Sequence, residues 1–378
     1  MDLWIAPKQI FDGQQLLSDQ AILIRDGHVV DISPAPTGTA VWQGIATPGF
    51  IDLQVNGGGG ALFNTQPNVA GIRTIVQAHR RYGTVGILPT VITDKPDVLD
   101  RATDAIIDVW GDPGVLGIHI EGPHLSLARR GTHASEYIRP MDSRTLDAVA
   151  RIRAAGIPVM ITVAPENTST QQIAALVGMG ALVSLGHTDA DFETVRAAQM
   201  AGASCATHLF NAMSPMLGRA PGMVGAILES DCYAGVICDG YHVNDTMIRL
   251  ATRAHMTPDR IFLVSDAMAT VGGPPEFMLY GRRITLRDGQ LINDEGSLAG
   301  AHVTQAEGVQ RLVKHVGLTV GQALGMATSV PATCIGRPDL GQLIGRTAAD
   351  VVLLDTNLGY AGTLADLIAP ARQVQSGT

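Results

Sequence analysis

The 378-residue chain is long enough for one large barrel domain plus a small accessory module, or for two ordinary domains. With 46% hydrophobic and 16% charged residues it can bury a sizeable core, and its composition is not that of a disordered chain. Its 26 basic and 35 acidic residues give a formal net charge of −9 with no basic run, which argues against nucleic acid and anionic membrane surfaces as partners while leaving room for one or two placed cations at a phosphorylated ligand.

The first residues show no apolar core region and no small-residue cleavage site, so no secretory signal is expected. No stretch approaches ~18 uninterrupted apolar residues, so no membrane span is expected either. Residues 21–32 alternate apolar and polar side chains around Asp26-Gly27, a two-residue hairpin signal. Next comes Gly57 to Gly60, expected to be a flexible loop.

From Pro48 onward the pattern changes to short apolar runs, at 49–55, 86–92, 115–120, 158–163, 181–186, 204–208, 233–238 and 261–266. Runs of this kind suit strands buried on both faces of a parallel sheet wrapped by helices. Helices are predicted between them. One covers 143–155, ending at Gly156 with Pro158 beyond; another covers 191–200, where Phe192, Val195 and Ala198 share a face. Eight strand–helix alternations predict an α/β fold of the (β/α)8 barrel type, and no G-x-G-x-x-G follows a strand to favour a dinucleotide site. A second Asp-Gly hairpin follows at 284–293, then helices at 303–316 and 319–329. The run 349–355 returns to strand character and is expected to pair with the N-terminal segment. The predicted organisation is a small β-sandwich module from 1–46 and 338–378 around a barrel at 47–337. The tail from Gly359 lacks a clear closing strand.

In a barrel of this kind the chemistry gathers at the C-terminal ends of the strands. Glu121 follows the third predicted strand, His187 the fifth and His242 the seventh, while His208 and Asp266 end the sixth and eighth. Glu121, His187 and His208 make a set of two imidazoles and one carboxylate, the donor type that suits a catalytic divalent metal. Asp266 is a candidate general base and acid, since an amide nitrogen leaves poorly unless protonated; the lesser alternative is that it caps the next segment. His119 is read as core or support, His28, His79, His255 and His315 as solvated or structural, and His124 and His302 are unassigned. Cys205, Cys232, Cys238 and Cys334 form no C-x-x-C pair and are expected to be reduced thiols, mostly buried, in a cytoplasmic protein.

The motifs PGFIDLQVNGGGG (48–60), GIHIEGPHL (117–125), GTHASE (131–136), SLGHTDA (184–190), THLFNAMSPMLGRAPG (207–222), CDGYHVN (238–244), VSDAMA (264–269) and SLAGAH (297–302) run over almost the whole chain. In order, spacing and context the sequence resembles the N-acetylglucosamine-6-phosphate deacetylase branch of the amidohydrolase superfamily. The resemblance implies a metal held by Glu121, His187 and His208, with Asp266 as acid/base. It implies that His133 polarises the substrate's acetyl carbonyl beside Thr132, although by itself His133 could be an ordinary loop residue. It further implies substrate contacts from Asn211, Ala212, His242 and the loop Leu298, Ala299 and Gly300. Arg219 matches a phosphate-binding arginine that reaches a neighbouring subunit's site, so a homodimer is expected; without the motif it reads as a surface arginine.

The sequence departs from the wider superfamily at the end of the first strand, where Gln54 and Asn56 replace a His-x-His pair. Neutral amides are poor ligands for a transition metal, so one divalent ion is expected and the second-metal positions are expected to be vacant. Zinc is the expected ion, with iron, manganese and cobalt compatible with the same donors. The substrate is expected to be N-acetyl-D-glucosamine 6-phosphate. The alternatives are N-acetylgalactosamine 6-phosphate, another amide, or a barrel that keeps its metal without catalysis.

Overall fold

Each of the apolar runs becomes a parallel strand. They are Phe50–Val55, Thr84–Ile92, Ile118–Glu121, Val159–Val163, Leu182–Leu185, Cys205–Ala206, Tyr233–Val236 and Ile261–Leu263, and they neighbour one another in chain order. The computed structural model describes residues 2–293, 296 and 298–373; Ser297 of the 297–302 motif and residues 374–378 of the expected C-terminal module lie outside the described residues.

Alternation within the strands explains why the runs are mostly apolar on both faces. Ile51, Leu53, Leu88, Met160 and Phe262 point into the barrel, whereas Phe50, Ile87, Ile161 and Leu263 pack outward against the helices. Burying a side chain of this size stabilises the fold by about 1.5–3 kcal/mol. Val330, Ala332 and Cys334 of the helix Ser329–Cys334 join the inward-facing set. Between strands, the helices start on side-chain caps. Asp191 accepts from the backbone N–H of Thr194 at 2.9 Å, and Thr304 and Thr319 head reciprocal capping boxes.

The ring is closed by a seam rather than by a full ladder. A single parallel bridge joins Val55 to Ala267, the Asp266 N–H donates to Gln54 O at 3.0 Å, and the Asn56 N–H donates to Ala267 O at 2.9 Å. Below them the buried Asp52 carboxylate accepts the Ser265 N–H at 3.2 Å.

The terminal segments build a separate seven-stranded sheet. Asp26 and Gly27 both take left-handed backbone (φ 51° and 80°), which turns Gln20–Arg25 into His28–Pro34. Val351–Leu354 runs antiparallel to Val41–Pro48, with Val351 opposite Pro48. The sheet does have a closing strand: Tyr360–Thr363 pairs with Val351–Leu354, and the helix Leu364–Gln373 follows it. That strand is four residues long and contains Gly362 at φ 112°, so it carries no alternating pattern.

The glycine run after the first strand is not a flexible loop. Gly57 and Gly58 are buried and pair with Ala61 and Leu62 across a turn in which Gly59 and Gly60 take φ 63° and 87°. A Cβ on Gly57 would meet Ala61 O at 2.5 Å and the Ala269 nitrogen at 2.8 Å. His79, buried on the helix Val69–Arg80, bonds Gly57 O at 2.9 Å and fixes the turn from below. The hairpin at 284–293 is part of a three-stranded sheet, Glu276–Leu279, Arg282–Arg287 and Gln290–Asn293. It packs on Leu62, Ile92 and Met268 at the mouth of the barrel.

Candidate active site

The strand ends converge on one cavity of about 200 Å³ at the C-terminal mouth. Its tightest cluster is Glu121, His187 and His208, with Oε1 of Glu121 3.2 Å from Nε2 of His187 and 3.1 Å from Nε2 of His208. The two imidazole nitrogens are 3.0 Å apart. Three donors around one tetrahedrally coordinated ion at 2.0–2.1 Å would lie about 3.3 Å from one another. Nδ1–H of His187 donates to the Arg129 carbonyl at 2.8 Å, which fixes its tautomer and turns the Nε2 lone pair toward the cluster. The residues therefore fit a divalent cation. Burial alone would raise the Glu121 carboxyl; the two histidines outweigh it and hold the group well below its usual range, and Glu121 in turn lifts His208.

His133 lies alongside, its ring centroid 4.4 Å from that of His187 and its Nδ1 2.8 Å from the Thr93 hydroxyl. Burial pushes it down to about 3, so the ring is neutral. Glu121, His133 and His187 also have donor atoms within 4.8 Å of one another, which makes His133 the competitor of His208 for a third ligand position. The Glu121–His187–His208 set is the tighter of the two.

Asp266 faces this cluster through two amides. Nε2 of Gln54 donates to Glu121 Oε1 at 3.1 Å and to Asp266 Oδ1 at 3.2 Å, and Nδ2 of Asn56 donates to the same Asp266 oxygen at 2.6 Å. Their own oxygens, Gln54 Oε1 and Asn56 Oδ1, are buried with no donor among the described residues. Burial, followed by the negative charge on Glu121, pushes the Asp266 carboxyl up to about 6. His187, His208 and Asp266 all have positive φ (47°, 36° and 50°), as do Phe210 and Ala212. Backbone strain of this kind persists where the surroundings over-determine the conformation.

Thr132, Asn211, Ala212, His242, Leu298 and Gly300 line the remaining wall. Nδ1 of His242 is held at 2.6 Å by the Asp239 carboxylate. Three of the expected residues do not line the cavity. Gln54 lies behind the wall, 1% exposed, and Ala299 is buried in the cluster beneath the three-stranded sheet. Arg219 is exposed on a small turn closed by the Leu217–Ala220 bridge, and among the described residues no lysine or arginine lines the cavity. A larger cleft of about 730 Å³, between Phe11, Tyr233 and Gln342, has no histidine and a single carboxylate, Asp259, so volume alone does not locate the chemistry.

The other histidines are structural where they are buried. His119 bonds Thr162 Oγ1 at 2.7 Å inside the barrel, His124 ties Arg139 O to Thr145 Oγ1, and His255 bonds Cys232 O. His302 bonds Thr270 Oγ1 at 2.8 Å, and His28 and His315 are exposed. All four cysteines are free and buried. Sequence reasoning missed Thr93, Asp239, Tyr280 and the Arg129 carbonyl. Of these, only Asp239 left a local signal, its i, i+3 spacing to His242.

The amidohydrolase family model matches residues 45–376. The chain is 43% identical over 318 residues to the N-acetylgalactosamine-6-phosphate deacetylase of Shewanella sp. (strain ANA-3), covering 83% of this chain and 80% of that one. It is 33% identical over 369 residues to the N-acetylglucosamine-6-phosphate deacetylase of Haemophilus influenzae, covering 94% and 96%. Among solved structures, the N-acetylglucosamine-6-phosphate deacetylase of Pasteurella multocida superposes with a TM-score of 0.88 at 33% identity, over 96% of this chain and 98% of the other. A Mycobacterium smegmatis N-acetyl-D-glucosamine-6-phosphate deacetylase mutant in complex with N-acetyl-D-glucosamine-6-phosphate superposes with a TM-score of 0.87 at 30% identity, over 96% and 97%.

Proposed function

The chain belongs to the amidohydrolase family, and we propose that within it the protein hydrolyses the acetamide of N-acetyl-D-glucosamine 6-phosphate to glucosamine 6-phosphate and acetate. The observation that carries this reading is the shared cavity, in which a cluster of two imidazoles and a carboxylate, a neutral imidazole and a separate carboxylate of raised pKa face one another.

Glu121, His187 and His208 would hold one divalent ion, zinc first among the candidates. Bound there, it supplies Lewis acidity that lowers the pKa of a water toward about 7. Asp266 takes the proton from the attacking water and returns it to the departing nitrogen. Gln54 and Asn56 hold that carboxylate in place through its Oδ1. His133 donates a hydrogen bond to the acetyl carbonyl oxygen as it gains negative charge. Thr132, Asn211, Ala212, His242 and the loop Leu298 to Gly300 bind and orient the sugar, with Ala299 supporting the loop from beneath the three-stranded sheet.

Among the described residues the cavity wall has no guanidinium or ammonium of its own. Arg219 from a second copy would supply the phosphate contact, and its turn exposes Met216 and Leu217 by 54% and 60%, apolar surface suited to a homodimer contact. The four buried thiols support a reducing compartment, the cytoplasm. No described helix is long and apolar enough to cross a membrane.

A second reading, N-acetylgalactosamine 6-phosphate, is favoured by the 43% identity to the Shewanella enzyme. Turnover of both sugar phosphates and of unphosphorylated N-acetylglucosamine, measured beside metal content, tests the proposal. Turnover of neither phosphate ester by metal-loaded protein overturns it, and preference for the galacto ester moves the assignment to the second reading.

A further inference from the structure

Thr93 follows the second barrel strand and is 1% exposed. Three contacts fix it. Asn64 clamps the preceding residue at both ends, accepting the Ile92 N–H at 2.9 Å and donating to Ile92 O at 2.9 Å. Tyr280, from the sheet over the mouth, donates its hydroxyl to Thr93 O. Gly122 leaves the opening that the side chain fills, since a Cβ there would lie 2.3 Å from Thr93 Oγ1.

So placed, the Thr93 hydroxyl has one proton and two acceptors within reach, Nδ1 of His133 at 2.8 Å and the Glu121 carbonyl at 3.4 Å. The first is a full hydrogen bond and the second is at the outer limit of one. A proton given to Nδ1 requires the neutral ring to carry its own proton on Nε2. The opposite arrangement, Nδ1–H donating to Thr93 and the hydroxyl turned to Glu121, would bare the Nε2 lone pair and suit His133 as a metal ligand. The direction in which the Thr93 hydroxyl points thus distinguishes the two roles open to His133.

We propose that Thr93 is a positioning residue whose hydroxyl donates to Nδ1 of His133 and fixes the tautomer that offers Nε2–H to the substrate's carbonyl oxygen. The contribution to catalysis rests on the deacetylase reading; the tautomer does not. Because the charge on that oxygen grows only as the reaction proceeds, Thr93 acts on kcat rather than on KM.

The test combines nitrogen-15 NMR of the histidine side chains, in metal-free and zinc-loaded protein, with kinetics of Thr93→Val and Thr93→Ser. The expected result is an Nε2–H tautomer for His133 in the parent protein and in Thr93→Ser, and loss of that single tautomer in Thr93→Val. The valine variant is expected to lose about 10- to 100-fold in kcat with KM within about twofold and zinc content unchanged, and the serine variant to recover most of it. An Nδ1–H tautomer in the parent protein overturns the proposal, as does an unchanged tautomer in Thr93→Val or a loss of zinc that parallels the loss of rate. If the parent protein turns over neither sugar phosphate, the deacetylase reading fails while the tautomer measurement still decides the role of Thr93.

Discussion

Asn56 donates its side-chain amide to Oδ1 of Asp266 over 2.6 Å, which ties the end of the first barrel strand to the end of the last. With Gln54 bridging the same oxygen to Glu121, both amides at the positions expected to be vacant for a second metal are engaged as donors. A neutral amide is a poorer ligand for a catalytic transition metal than an imidazole, and here both amide nitrogens are tied to carboxylates. Purified protein is therefore expected to contain one divalent ion per chain, and chelation is expected to abolish activity that zinc restores. Metal analysis showing two fully occupied ions per chain would contradict this assignment.

Separating Asp266 from the ligand set is the purpose of Asp266→Asn. The variant keeps the size and the polar contacts of the side chain but cannot accept a proton. Turnover is expected to fall by about a hundred- to ten-thousand-fold with metal content unchanged. Loss of the ion alongside the rate would make Asp266 a ligand instead.

Arg219→Ala probes the contribution proposed for a second copy. The catalytic efficiency toward a phosphorylated substrate is expected to fall by about 10- to 100-fold, the worth of one charge-assisted contact. Activity on unphosphorylated N-acetylglucosamine should barely change. An equal loss on both substrates would remove Arg219 from phosphate recognition.

The acid limb of stability carries a contribution from His79. Burial pushes its folded pKa from 6.5 down to about 4. Between those values the unfolded chain binds a proton that the folded chain does not, so this group's contribution to stability falls as pH drops from about 6.5 to about 4 and is constant below. The full effect is roughly 3 kcal/mol. His79→Gln retains a donor for Gly57 O and removes the titration, so urea midpoints recorded from pH 7 to pH 4 should fall less steeply in the variant. Parallel curves would mean that His79 is solvated in the folded protein.

The barrel strands were legible because burial on both faces makes each of them a short, mostly apolar run, and the strand ends then brought Glu121, His187, His208 and Asp266 onto one face. The residues that stayed hidden act across the chain. The Thr93 hydroxyl meets His133 forty residues on, and Tyr280 reaches back to Thr93 from a sheet over the mouth. Neither leaves a mark on local pattern. Gly57 to Gly60 read as a loop because nothing nearby in sequence announces His79 beneath it or Ala269 against it. The strand Tyr360–Thr363 was missed for the opposite reason: it is local, but too short and too glycine-bearing to alternate.

The seam between the first and last barrel strands has a bearing on the order in which the site is assembled. Glu121, His187 and His208 come from the third, fifth and sixth strands, whereas Asp266 meets Gln54 across 212 residues of chain. Contacts that distant in sequence cost the most loop entropy to form. Completion of the site therefore depends on closure of the ring, since only that brings Asp266 to Gln54 and Asn56 from the far end of the barrel sequence.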